Sequence, residues 1–207
     1  MKRPGALPLA RLALTIFLSS GFLPSSFLPS GFLPSVFLPL GTASAAGDEP
    51  WILVDTAALT LSVMRGNTVL HSYENISIGS NGSTADKVWR DEKTPLGEFR
   101  INEIRPSKRF YLFLSIDYPN SAHAERARRA GRISEEEYRA IQAAREQGNP
   151  PPQNTPLGGN LGIHGIGNGS LEIHRMVNWT DGCVALTNEQ IEQLVREITV
   201  GTRIRIR

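Results

Sequence analysis

The 207-residue chain has a single cysteine, Cys183, and one of its four histidines, His164, lies upstream of it in the same glycine-rich stretch. A thiol becomes a nucleophile at neutral pH when a base or an imidazolium stands beside it. The acyl group it attacks also needs backbone N–H donors for the developing oxyanion. Gly182, directly before Cys183, fits that need, because a residue without a side chain lets a carbonyl approach the main chain. These residue types make Cys183 a candidate nucleophile and His164 a candidate base, and the amides of Gly182 and Cys183 could form the oxyanion hole.

Around this pair lie further candidates for substrate contact or orientation: Gly165, His174, Arg175, Trp179, Thr180 and Asp181. The Thr180 hydroxyl can bond within the site, and Asp181 can orient a histidine or hold a substrate amine. A second reading of the same residues is a zinc site from His164, His174, Asp181 and Cys183, since zinc accepts that mixture of ligands. Against it, no compact histidine pair is present, and Gly182 is better explained by an oxyanion hole. The expectation is no metal and no cofactor. One cysteine also excludes an intrachain disulfide framework.

The elements that must position these residues read as mainly β. Trp51–Asp55 is a short apolar run, Leu59, Leu61 and Val63 alternate with polar neighbours, and Gly66-Asn67 turns the chain into a return strand from Thr68. Glu98–Ile104 alternates again, and Phe110–Ile116 is a dense apolar strand. Residues 161–186 read as short strands rich in glycine. Thr187–Ile198 reads as a packing helix, opened by a Thr187/Gln190 capping box and carrying Ile191, Leu194, Val195 and Ile198 on one face. Arg203–Arg207 alternates as a last strand.

Residues 121–150 interrupt this pattern. Ala122–Ala130 is rich in Ala, Arg and Glu, and Ser134 with Glu137 opens a second helix that Gly148 and Pro150-Pro151-Pro152 close. The segment is expected to be an inserted helical hairpin, either a solvated extra or a lid beside the site.

The amino-terminal segment, residues 1–45, reads as an export signal. Lys2, Arg3 and Arg11 precede the apolar run Leu12–Leu18, and Ala43-Ser44-Ala45 fits a cleavage site. Between them, residues 21–40 are four copies of a five-residue FLPS-type unit, whose prolines bar a continuous membrane-spanning helix. A cleaved leader and a retained tether are the two possibilities. The leader has no acidic residue, so its three basic residues more than account for the excess of 22 Lys and Arg over 20 Asp and Glu. That near-balance excludes a strongly basic nucleic-acid-binding protein.

The segment from His164 to Val184 resembles the L,D-transpeptidase catalytic domain of YkuD type, whose signature is a His, a spacer, then Ser/Thr-x-Gly-Cys. His164, a spacer of 15 residues, then Thr180-Asp181-Gly182-Cys183 match it. Upstream, Thr94-Pro95-Leu96-Gly97-Glu98-Phe99 is similar to the family's Thr-Pro-x-Gly-x-Phe motif. Asp181 stands where many members have His, and Ala185 where many have Asn or Arg. Tyr118-Pro119-Asn120 and the insertion look like a branch that includes peptidoglycan–protein hydrolases.

The resemblance implies a β-sandwich with a packing helix, occupying residues 46–207. It implies an exported enzyme of the periplasm or cell envelope that acts on peptidoglycan stem peptides. Cys183 would form a thioester that an amine resolves, giving L,D (3-3 type) cross-links or attachments. Resolution by water, giving a carboxypeptidase or amidase, is the alternative, and a non-catalytic wall-binding module is a third reading. Carbapenems are the implied inhibitors, and no nucleic acid or membrane partner is implied beyond the leader.

Overall fold

The computed structural model describes residues 49–207. The leader and its FLPS-type repeats lie outside the described residues.

Ten strands and four helices follow in chain order. Strands β1 (Pro50–Asp55), β2 (Thr60–Arg65) and β3 (Thr68–Glu74) form an antiparallel meander, with Gly66-Asn67 at the β2–β3 turn. The short β4 (Ser83–Thr84) and β5 (Thr94–Pro95) pair with each other, and β6 (Gly97–Ser107) and β7 (Tyr111–Ile116) make a long hairpin. Helices α1 (Ser121–Arg129) and α2 (Glu135–Glu146) follow. Then come β8 (Gly162–Gly165), α3 (Leu171–Met176), β9 (Val184–Leu186), α4 (Asn188–Leu194) and β10 (Arg203–Ile206).

Eight strands form one mixed sheet in the order β3-β2-β1-β10-β6-β7-β8-β9. The two ends of the domain meet in its middle: β1 pairs in parallel with β10, Ile52 opposite Ile204 and Val54 opposite Ile206. All four of these side chains are buried, as are Phe99 and Ile101 of β6, so alternation turns one face of each strand to a shared core. The sheet curls back on itself. Beyond β3, Ser77 exchanges backbone hydrogen bonds with Ala185 of β9 at 3.0 and 2.7 Å. The result is the mainly β, sandwich-like architecture expected from the alternating runs.

Helix α4 opens with the predicted capping box, Thr187 accepting from the Gln190 N–H while Gln190 returns a bond to Thr187 N. It packs on β7 and β8 through buried Ile191 and Leu194, each contributing about 1.5–3 kcal/mol by leaving water. It ends at Leu194, four residues earlier than the apolar face predicts. Ile198 is still buried, reached through a turn rather than helix. Asn188 ties the helix to the chain after β8: its Oδ1 accepts from Gly167 N and its Nδ2 donates to Gly167 O, both at 2.9 Å.

The helical hairpin is present, with the Ser134/Glu137 capping box and an N-cap at Asn120 for α1. It is anchored rather than merely solvated. Ala124, Ala127, Ile133 and Ile141 join the core cluster, and His123 is buried against Phe99 and Tyr118. Its Nε2 lies 3.1 Å from Leu96 O and its Nδ1 2.8 Å from Asn120 Oδ1.

Candidate active site

Three neighbouring strands bring the predicted pair together. Phe113 of β7 lies opposite His164 of β8, and His164 lies opposite Ala185 of β9, two residues beyond Cys183. Cys183 sits in the turn just before β9, and His164 and Cys183 line one cleft of about 840 Å³.

The imidazole is buried and held on three sides. It stacks on Phe110 with centroids 4.0 Å apart, and on Phe113 at 6.0 Å, and meets the edge of Trp179 at 5.7 Å. Its Nδ1 lies 2.8 Å from the carbonyl oxygen of Gly165, so Nδ1 carries the proton and Nε2 the lone pair. Burial, and then Arg109, pull the ring's pKa down to about 4 against a partly opposing Gly165 bond. The ring is thus neutral at pH 7.

Cys183 is half-buried, its Sγ 3.8 Å from Asn160 O. Burial pushes the thiol up to about 11, helped by Asp181. The Gly162 N–H, Lys87 and Arg109 oppose the rise. The resting pair is therefore thiol and imidazole, with the proton on sulfur.

The turn before Cys183 is fixed by Thr180, which is buried. Its Oγ1 donates to Cys183 O at 2.7 Å and accepts from Gly182 N at 3.1 Å. In the resting site the Gly182 N–H, expected as an oxyanion donor, is bonded to Thr180 Oγ1. Gly182 has φ +126, and a Cβ there would fall 2.6 Å from Lys93 O. Glycine is therefore required by backbone conformation and by the close approach of the 87–93 loop. The Thr-Pro motif serves that loop. Thr94 is fully buried and its Oγ1 accepts from Gly79 N at 2.9 Å.

The other predicted residues separate. Asp181 is exposed at the cleft rim. Gly165 contributes only its carbonyl, beneath His164. His174 is buried outside the cleft, its Nδ1 accepting from Trp179 Nε1 at 3.3 Å, and so it steadies a cleft wall. It sits on α3, a helix inside the segment expected to hold only strands. Arg175 is exposed and outside the cleft lining. Of the two readings of the hairpin, the lid finds no support in the lining: no residue of α1 or α2 lines the cleft, whereas Gly158–Leu161, the chain that follows them, does. Residues that the sequence reading did not single out include Lys87, Arg109, Phe110 and Asn160. Among the described residues no three His, Cys, Asp or Glu side chains cluster as a metal site would require.

The mainly β fold places a Cys and a His on the wall of one cleft. The L,D-transpeptidase catalytic domain family, YkuD, matches residues 49–206, and the chain belongs to that family. A solved structure supports the fold, and others align more loosely. The helical cell shape determining protein Pgp2 from Campylobacter jejuni aligns with TM-score 0.51 and 18% identity, over 76% of this chain and 47% of that one. Bd1075 from Bdellovibrio bacteriovorus aligns at 0.48 and 23% identity, over 80% and 50%. An L,D-transpeptidase from Mycobacterium smegmatis aligns at 0.46 and 14%, over 77% and 58%. The chain thus spans about half the length of these structures. No curated protein matches it.

Proposed function

We propose that the protein is an exported cysteine acyltransferase acting on peptidoglycan stem peptides. Cys183 attacks the carbonyl of the third stem residue, a diamino acid attacked at its L-centre. As the thiol adds, its proton passes to Nε2 of His164, whose orientation the Gly165 carbonyl has fixed. The oxyanion is taken by the Cys183 N–H, with Thr180 setting the tilt of the Gly182–Cys183 peptide. The tetrahedral adduct collapses, His164 returns the proton to the departing amine, and D-alanine leaves a thioester on Cys183. An amine from a second stem then attacks the thioester carbonyl and His164 accepts its proton; the C–S bond breaks, the Cys183 sulfur takes that proton back from His164, and the L,D cross-link or attachment forms.

The observation that carries this reading is the shared cleft of Cys183 and His164, in a chain of the L,D-transpeptidase family. Positioning supplies most of the chemistry, and none of these steps calls for a metal or nucleotide. Carbapenems, which carry a strained acyl group, are expected to acylate the same sulfur.

Hydrolysis is the second reading. It is favoured by the half-buried thiol in an open cleft, where water can reach the thioester. The test is chromatography and mass analysis of disaccharide-tetrapeptides before and after incubation. Cross-linked dimers support transfer, and trimmed tripeptide monomers support hydrolysis. Unchanged stems with the wild-type protein, or undiminished turnover by Cys183→Ala, would reject both in favour of a wall-binding module or another nucleophile.

A further inference from the structure

Lys87 is a buried cation in a cleft whose other charges are exposed. Its side chain is 3% exposed, and its Nζ donates to Asp91 Oδ1 at 2.6 Å. Asp91 is in turn held by the N–H groups of Val88 at 2.8 Å and Lys93 at 3.0 Å. The loop therefore folds around its own carboxylate and carries the ammonium to the underside of the catalytic turn. A Cβ at Gly182 would stand 3.2 Å from Lys87 Nζ.

Withdrawing an ammonium from water costs several kcal/mol unless its surroundings repay it. Three N–H groups point from this nitrogen, and among the described residues Asp91 is its one hydrogen-bond acceptor. The location beneath Gly182 and Cys183 suggests what the remaining charge does.

We propose that Lys87 is a positioning residue of the acyl-transfer site, its ammonium held by Asp91 against Gly182 so as to favour negative charge on Cys183 and on the oxyanion beside it. This rests on Cys183 being the nucleophile. The ionisable groups facing the sulfur across the cleft are Lys87, Arg90, Glu92, Arg109, His164 and Asp181. His164 is neutral, and Arg90, Glu92, Arg109 and Asp181 are exposed, so water and salt screen them. The buried ammonium is screened least. Asp91 stands behind it and cancels part of its field, which gives the two residues effects of opposite sign.

Because Cys183 is the sole cysteine, its thiolate can be titrated without substrate, from the pH dependence of its alkylation by uncharged iodoacetamide. Lys87→Met is expected to move the midpoint up by about one pH unit, a roughly tenfold slower reaction at a fixed pH below it. Asp91→Asn is expected to move it down, and Lys87→Arg to stay close to wild type. Where Lys87→Met does not fold by circular dichroism, the downward shift in Asp91→Asn carries the test by itself. Midpoints that do not move, or that move in the same direction in Lys87→Met and Asp91→Asn, would overturn the proposal. Neither result bears on whether Cys183 turns over stem peptides, which Cys183→Ala reports separately.

Discussion

The Nδ1–H of His164 donates to the carbonyl oxygen of Gly165, the next residue in the chain, at 2.8 Å. A strand residue bonding its own neighbour's carbonyl needs no second element to set its tautomer. The buried ring is left with Nε2 as its free lone pair, neutral down to about pH 4. That arrangement suits the role of base to the Cys183 thiol proposed for His164, rather than the fixed cation of a preformed ion pair.

His164→Ala should therefore lower turnover of disaccharide-tetrapeptides by about 10²–10⁴-fold, the usual contribution of a positioned general base. Binding, read by KM or by titration of an unreactive tripeptide, should change much less. A loss confined to KM would make the imidazole a wall of the cleft and nothing more.

Thr180 is expected to act through geometry. Removing its hydroxyl in Thr180→Val breaks the bonds to Cys183 O and Gly182 N and frees the catalytic peptide to rotate. Misplaced oxyanion donors cost about 2.7–4 kcal/mol in comparable sites, so turnover should fall about 10²-fold or more. Thr180→Ser, which keeps the oxygen, should recover most of it. Equal losses in the two variants would point to the methyl group's packing instead.

Three buried histidines, His123, His164 and His174, make the fold sensitive to acid. Burial, the larger cause in each case, lowers His164 and His123 to about 4, from an ordinary value of 6.5. Between those values the unfolded chain binds protons that the native state refuses. Stability is thus fully present above pH 6.5 and is lost as pH falls toward 4, by up to about 3 kcal/mol for each ring. Urea midpoints measured from pH 7.5 to 4.5 should fall, and His123→Gln should flatten that slope. A slope unchanged in His123→Gln would place the acid sensitivity elsewhere.

The sequence exposed the chemistry more readily than the scaffold. Cys183, Gly182 and His164 are legible because they follow the motif order of the family to which the chain belongs. The β2–β3 turn, the capping boxes and the alternating strands are legible because their signals are local. The parallel pairing of β1 with β10 joins opposite ends of the domain, and no local pattern encodes it. Helix α3 has only six residues, too few to show a period, although Ser170 caps it by accepting from Ile173 N. Lys87 reads in sequence as one more surface lysine. Only the loop that wraps Asp91 reveals it as buried. The same applies to Gly182 N–H, whose engagement by Thr180 depends on a turn conformation that spacing does not specify.

The central claim is that Cys183 carries the acyl group, and intact-protein mass spectrometry after incubation with a carbapenem tests it most directly. The account predicts one adduct per chain in the wild-type protein and none in Cys183→Ala. An adduct of the same mass on Cys183→Ala, or a wild-type protein that stays unmodified, would contradict it.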